Sequence, residues 1–318
     1  MIRFAKMIFS RLVLGVLLLL VISVLVFVGI QLLPGDLARA VLGQSATQEA
    51  VDALRQRLGL NLPLHTQYIN WMLKLVQGNL GTSLANGYPI SELLGSRMAN
   101  TFFLAGVAAL ISIPSAIALG VVSALYRGRA LDRTISSASL SLISLPEFFV
   151  AYVLILLLAI KASVFPSTSL VEPGMSLADR LYVTLLPALT LALIVTAHMM
   201  RMIRASIIGV LSSSYIEMAV LKGLSPRRII LHYALPNAMS PVINVIVLNL
   251  AYLIVGVVVV EVVFNYPGMG KLLADAVSKR DIPVIQVGVM VFASTYIILN
   301  IVADILSIVT NPKLMHPR

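Results

Sequence analysis

The sequence contains no cysteine among its 318 residues, which excludes disulfides, thiolate nucleophiles and sulfur-ligated metals. Charged residues are also scarce, at 11% of the chain, whereas an ordinary soluble domain has about 25%. Hydrophobic residues make up 59%, and the mean hydropathy is +0.99. A globule of this size would have too few polar groups to cover its apolar surface, so a water-soluble protein is excluded.

Sequence signatures of hydrolytic enzymes are absent as well. The glycine-containing stretch 268–271 ends in lysine followed by leucine and lacks the spacing of a phosphate-binding loop. The four histidines are too scattered for an HExxH zinc site, and no GxSxG motif occurs. We therefore expect a chain that does not hydrolyse ATP by itself, so that any uphill transport draws on an ion gradient or a partner.

Six segments are long and apolar enough to cross a bilayer, which takes about 20 mostly apolar residues in a helix. They are 12–33, 98–126, 134–160, 181–200, 233–260 and 282–303. Glu147, in the third, is the only acidic or basic residue within them, aside from the histidine His198 in the fourth. The first run exceeds the roughly 7–15 residues of a signal-peptide core, so we expect it to be retained as a span.

Charge predicts that both ends of the chain lie in the cytoplasm. Cytoplasmic loops of membrane proteins are usually enriched in lysine and arginine. The counts on the two sides differ little here, but this enrichment applies mainly to short loops, and the first outer loop is long. With the N-terminus inside, the cytoplasmic side carries only Asp132 and Glu217 as acids, against eight on the other side. The formal net charge of +10 is therefore attributed to topology rather than to nucleic-acid binding.

The first outer loop has the pattern of two helices. Thr47 is placed to cap a helix that ends before Gly59. A second helix is predicted over 63–76, with an apolar face that we interpret as packing and, as the alternative, as a docking surface. That face consists of Leu64, Tyr68, Trp71 and Leu75.

The loop 201–237 carries the most local signals. The fourth span is predicted to extend to about Leu211, and Ser214 with Glu217 has the spacing of a capping box. Gly223 is placed to end the short helix that follows. Ser225 and a proline then start another helix, which Leu235 and Pro236 are expected to stop.

This loop resembles the EAA loop of the permease subunits of ABC importers, whose pattern is E-A-A, three residues, G, nine residues, then I-x-L-P. Five residues stand at matching positions: Glu217, Ala219, Gly223, Leu235 and Pro236. Met218 replaces the second alanine, and Tyr233 replaces the isoleucine.

Other segments resemble the dipeptide/oligopeptide branch of these binding-protein-dependent permeases. They are LPGD at 33–36, GNLGTS at 78–83, FNYPGMG at 264–270, and the stretch from Asp304 to the Asn-Pro at 311–312. Asn79 stands where this branch commonly has aspartate.

The resemblance implies an all-α, polytopic protein of the bacterial cytoplasmic (inner) membrane, with six transmembrane helices, an N-in/C-in orientation and a type I importer-like permease fold. It implies three regions. Residues 1–33 are the N-terminal tail and first transmembrane helix, 34–97 an extracytoplasmic helical loop region, and 98–318 a five-helix permease core with a cytoplasmic EAA coupling loop at 212–237.

The resemblance also implies partners. A second homologous permease, two cytoplasmic ABC ATPase subunits and an extracytoplasmic substrate-binding protein are expected beside the lipid bilayer. The ATPase subunits would bind ATP and Mg²⁺, so this chain is expected to be non-catalytic and to need no cofactor or metal. The substrates of this branch include dipeptides, oligopeptides, glutathione, nickel complexes and some sugars.

Single residues keep two interpretations each. Glu217 is either part of a capping box or a contact to the ATPase, and one carboxylate can serve both purposes. Glu147 follows a proline inside a span and is a candidate for lining the pathway or its gate. Glu261, Asp304 and His198 lie near the ends of spans and are interpreted as interfacial. A stand-alone secondary transporter is the alternative function, although no internal repeat supports it.

Overall fold

The computed structural model describes residues 2–32, 37–42 and 46–310. Within these ranges the chain is helical, and its only extended pairing is an isolated bridge between Thr82 and Pro89. The helices are α1 Ile2–Gln31, α2 Leu37–Leu42, α3 Gln48–Leu58, α4 Leu64–Val76, α5 Ile90–Leu125, α6 Ala130–Ser144, α7 Glu147–Leu154, α8 Leu177–Leu211, α9 Ser214–Leu221, α10 Pro226–Arg228, α11 Leu235–Val263, α12 Met269–Ser278 and α13 Ile282–Thr310. Two π-helical segments, Ile155–Lys161 and Ile229–Ala234, continue α7 and join α10 to α11. The all-α prediction is confirmed.

Four of the predicted spans are continuous helices, formed by α1, α5, α8 and α13. The predicted spans 134–160 and 233–260 coincide with two helix pairs that are bent. Ala130–Ser144 and Glu147–Lys161 meet at 106°, and Pro226–Met239 meets Pro241–Ile254 at 58°. Each break falls at a proline, Pro146 or Pro241, whose ring removes a backbone donor. Before Pro146, Leu145 also leaves the helical region, at φ −90° and ψ 138°. Six spans result when each bent pair is counted as one.

The first of two compact units contains Thr101–Pro267, with short pieces from both ends of the chain. Its central helix is α8, which packs against α6, α7 and α11. A close approach of α5 to α8 depends on Gly120, since a Cβ there would lie 2.8 Å from Cγ2 of Ile203. The buried α8 thus carries the loop 212–237 at its C-terminal end.

The second unit contains Phe9–Asn100 and Gly268–Ile297. Its apolar core includes Ile90, Met269 and Val284. Buried Asp281 fixes the loop after the GNLGTS segment, because its carboxylate accepts hydrogen bonds from the Ser83 hydroxyl and from the backbone N–H groups of Leu84 (3.0 Å) and Ala85 (3.3 Å).

The two helices predicted in the first outer loop are present. Thr47 Oγ1 accepts a hydrogen bond from the N–H of Ala50, and Gly59 ends α3 in the left-handed conformation, at φ +68°. Helix α4 begins at Leu64, one residue after the predicted start. Tyr68 and Trp71 pack against Phe27 of α1, which confirms the packing interpretation for this part of the apolar face.

Candidate functional site

Helix α8 ends at Leu211, as predicted, and leads directly into α9. Near this end of α8, Arg204 forms a bidentate ion pair with Asp132 of α6. Arg204 Nε lies 2.8 Å from Oδ1 and Nη2 lies 2.9 Å from Oδ2. Asp132 is 4% exposed and also accepts hydrogen bonds from the Ser123 hydroxyl and the Gly128 N–H. A buried pair of this geometry fixes α8 to the α5–α6 connection.

Sequence reasoning missed this ion pair because its residues lie 72 positions apart. The only available signal was the rarity of acids on the predicted cytoplasmic side, where an aspartate among cations has several possible partners.

The predicted capping box at the start of α9 is wrong. The N-cap is Ser213, and Ser214 is already the first helical residue. Ser213 Oγ donates instead to the carbonyl of Val210, at 2.6 Å, and so satisfies an acceptor in the last turn of α8. Glu217 is exposed, and its carboxylate has no hydrogen-bond or ion-pair partner among the described residues.

Helix α9 has two apolar faces. Ile216 and Ala219 are buried, at 3% and 4% exposure. Three further apolar side chains follow one another at intervals of three residues, and we call them the α9 stripe: Tyr215, Met218 and Leu221, which are 44%, 56% and 75% exposed. One face therefore anchors the helix and the other is open, and sequence reasoning had noted only Met218 of this stripe.

Gly223 ends α9 as predicted. Its φ is +72°, its N–H donates to the Val220 carbonyl, and the N–H of Leu224 donates to the Ala219 carbonyl. These two bonds form a Schellman motif, which glycine favours. A Cβ at Gly223 would meet no atom within 4 Å, so a side chain there has space within this chain.

The following helix begins as predicted but does not stop where expected. Ser225 Oγ accepts from the N–H of Arg228, and Pro226 is the first helical residue. Leu235 and Pro236 do not end the helix, because Pro236 lies in the first turn after the π-helical segment, where its missing N–H is tolerated. Tyr233 and Pro236 are exposed, whereas Leu235 is half-buried.

Glu147 is the first residue of α7, directly after the 106° break. Its Oε1 accepts a hydrogen bond from the Tyr252 hydroxyl of α11, at 3.0 Å. A Cβ on Gly256 would lie 3.6 Å from the same oxygen, so this glycine leaves space beside the carboxylate. Glu147 is half-buried, and the apolar residues after it, Phe148 and Phe149, are 50% and 46% exposed.

The other acids near span ends differ in environment. Glu261 is fully buried, and its Oε1 accepts a hydrogen bond from the Thr101 hydroxyl at 2.6 Å, so its carboxylate is held within the protein. Asp304 is half-buried, and His198 is exposed on α8.

The branch motifs are distributed over several parts of the structure. Phe264, Tyr266 and Met269 of the FNYPGMG segment are each 0% exposed, and burial raises the pKa of the Tyr266 phenol. In GNLGTS, the Asn79 side chain accepts from the N–H of Gly81, a bond that aspartate would also accept. The segments 33–36 and 311–312 lie outside the described residues.

Comparison with known proteins matches two family models to the chain. Residues 116–316 match the binding-protein-dependent transport system inner membrane component, and residues 1–105 match the N-terminal membrane component of the same transport systems. The chain is 33% identical over 309 residues to the probable peptide ABC transporter permease protein y4tP of Sinorhizobium fredii, covering 97% of this chain and 99% of that protein.

Two further relatives are the glutathione transport system permease proteins GsiC of Salmonella choleraesuis and of Escherichia coli K12. Each is 36% identical over 298 residues, covering 94% of this chain and 95% of the relative. The chain therefore belongs to the family of binding-protein-dependent inner-membrane permease components of ABC importers, and it is a non-catalytic subunit of such a transporter in the bacterial inner membrane.

Proposed function

We propose that this chain pairs with a second homologous permease and that the two form the translocation pathway for dipeptide- or oligopeptide-type substrates across the cytoplasmic membrane. The relatives' names support a peptide substrate, since one is a probable peptide permease and the others carry glutathione, itself a short peptide. An extracytoplasmic binding protein delivers the substrate. Two cytoplasmic ABC ATPase subunits bind ATP and Mg²⁺, and this chain contributes no cofactor or metal ligand.

The observation that carries the proposal is the α9 stripe. Apolar side chains this exposed on a short, well-anchored helix outside the membrane are typical of a protein–protein contact. Glu217, beside the stripe, offers an uncommitted carboxylate to a basic residue of the partner. We assign this surface to the ATPase, with Met218, Ala219, Gly223, Leu235 and Pro236 shaping or supporting it.

The anchoring of α8 supplies the mechanical link in this proposal. A displacement of α9 by the ATPase acts on the C-terminal end of α8, and the Arg204–Asp132 pair passes it to α6 and the connection that precedes it. Because α8 continues as a membrane span, closure of the ATPase would shift a helix of the pathway.

The test compares two exposed leucines. Leu221→Asp places a charge in the α9 stripe, and Leu170→Asp is the matched control on a loop at 52% exposure. Co-purification of the ATPase with the permease should fail for Leu221→Asp only. If both variants retain the ATPase, α9 is not its docking element.

We place Glu147 in the pathway or its gate. A carboxylate inside a membrane segment is costly when it faces lipid, so its partly exposed position beside the Tyr252 hydroxyl favours a hydrated cavity. Glu147→Gln should assemble normally and change the uptake rate, with Glu172→Gln on an exposed loop as control. Wild-type uptake by Glu147→Gln would make the acid a structural group only.

Energy supply separates this function from the alternative of an ion-gradient-driven transporter, which the family assignment disfavours. Uptake into vesicles should continue with ATP after ionophores have collapsed the ion gradients. Loss of uptake under those conditions would favour the alternative.

A further inference from the structure

Helix α4 packs along the last two turns of the membrane span α1. The Tyr68 hydroxyl lies 2.8 Å from Ser23 Oγ, and the Phe27 ring is 5.4 Å from that of Tyr68 and stacks 6.3 Å from that of Trp71. Ser23 and Phe27 are 0% and 7% exposed. The contact is therefore a packed interface between two helices of the same unit.

The position of Ser23 gives the depth of this contact. The apolar part of α1, Ile8–Gln31, has 24 residues and is about 36 Å long, whereas the hydrocarbon core is about 30 Å thick. Ser23 lies eight residues before Gln31, about 12 Å along the axis. With the span centred in the bilayer, the Ser23–Tyr68 contact lies about 9 Å inside the hydrocarbon edge.

The side chains of α4 separate into polar and apolar faces. Gln67, Asn70 and Lys74 line a cleft of about 770 Å³ within the same unit, together with further polar and apolar residues such as Arg57 and Leu75. Three apolar side chains on another side of the helix stay more than half exposed among the described residues: Ile69, Leu73 and Val76, at 52%, 54% and 80%. They recur at i, i+4 and i+7, so they form one face, which we call the α4 outer face.

We propose that the α4 outer face contacts lipid acyl chains, so that α4 is an interfacial helix immersed in the leaflet at the Gln31 end of α1. In this position the polar face of α4 lines the cleft, and its apolar face contacts lipid instead of water. A second, mostly apolar groove of about 450 Å³ lies between the two helices, and its lining includes Val24, Val28 and Leu64. The region 34–97 was predicted to be an extracytoplasmic loop, and this inference assigns part of it to the bilayer, independently of the substrate.

The experiment uses two adjacent positions of α4 that project about 100° apart, Leu73 on the α4 outer face and Lys74 on the side that lines the cleft. Because the chain has no cysteine, Leu73→Cys and Lys74→Cys each give one spin-labelling site in the full chain reconstituted into phosphatidylcholine vesicles. The label at position 73 should collide more often with oxygen, which dissolves in lipid, than with the water-soluble complex Ni(II)–EDDA. The label at position 74 should show the reverse ratio.

A second measurement needs no substitution, because Trp71 is the only tryptophan in the chain. Its fluorescence should fall when the vesicles contain lipids brominated on the acyl chains. Collisions dominated by Ni(II)–EDDA at position 73, with no quenching of Trp71 by the brominated lipids, would place α4 in water and overturn the proposal. Protection of position 73 from both reagents would mean that protein covers this face, which overturns it equally.

Discussion

Two short segments carry motifs of the same family, and they differ in what their side chains touch. The turn at 264–270 buries Phe264 and Tyr266 completely, whereas α9 leaves Tyr215, Met218 and Leu221 open. The buried turn is fixed from within the chain, for example by the hydrogen bond from the Ser169 N–H to the Phe264 carbonyl, at 2.8 Å. α9 is held by its backbone caps and by one buried face, and its other face is free.

This difference in burial indicates that the two motifs serve different purposes, one in folding and the other in partner binding. The residues of the buried turn are needed for the chain's own packing, and a substitution there should act through stability. The residues of the α9 stripe contribute little to that packing, and a substitution there should act through the partner.

The largest effect is expected from Phe264→Ala. Removing a fully buried aromatic side chain costs about 3–5 kcal/mol, because it leaves a cavity. We would heat the detergent-solubilised chain and use size-exclusion chromatography to measure the fraction that remains folded. The midpoint temperature of unfolding should drop strongly. Leu221→Ala is the exposed counterpart and should shift the midpoint very little. Equal shifts of the unfolding midpoint in the two variants would contradict the distinction between the buried turn and the α9 stripe.

Loss of the Arg204–Asp132 pair should come next. Asp132→Ala leaves Arg204 without its carboxylate, and breaking a buried pair costs about 3–5 kcal/mol. We expect the lower end of that range, since the Arg204 side chain retains 28% exposure. The same unfolding assay measures it.

A double variant is the control for this pair. Asp132→Leu combined with Arg204→Met leaves no unpaired charge and should recover much of the lost stability. A single variant as stable as the wild type would show that the pair does not anchor α8.

Gly223→Leu should affect partner binding more than stability. The left-handed backbone penalises any side chain by about 1–2 kcal/mol, but the space around Gly223 is open within this chain. Gly174→Leu is matched in strain, at φ +83°, and is equally open. Only Gly223→Leu should weaken ATPase retention and uptake, and equal effects of the two variants would reduce the role of Gly223 to backbone strain.

The smallest effect is expected from Ser214→Ala, because Ser214 does not cap α9. Ser225→Ala removes a real cap and should cost about 1 kcal/mol. ATP-driven uptake at increasing temperature should therefore decline earlier for Ser225→Ala than for Ser214→Ala. An earlier decline for Ser214→Ala would indicate that Ser214 does cap α9.

The sequence predicted features that depend on neighbouring residues. The end of α8 at Leu211, the cap at Thr47 and the left-handed Gly223 all follow from local hydrogen bonding and backbone preference. Hydropathy also located the spans, because it measures how much apolar chain is available to cross the bilayer.

Features set by distant or competing partners were not predicted. Hydropathy does not register a 106° bend at Pro146, because both arms of the bend are apolar. The predicted capping box of Ser214 and Glu217 is absent because α9 has Ser213 as its N-cap, and the Ser213 hydroxyl donates to a carbonyl of the preceding helix. The burial of Glu261 was not predicted either, because the hydrogen bond to its carboxylate comes from Thr101, 160 residues away.

The central claim, that the α9 stripe is covered by the ATPase, is tested most directly by thiol protection. Met218→Cys introduces a single thiol on the stripe, and Ser278→Cys introduces an exposed one on the side predicted to be extracytoplasmic. In inside-out vesicles, a membrane-impermeant maleimide should label Met218→Cys only after the ATPase has been stripped, and it should label Ser278→Cys in neither state. Equal labelling of Met218→Cys with and without the ATPase would contradict the account.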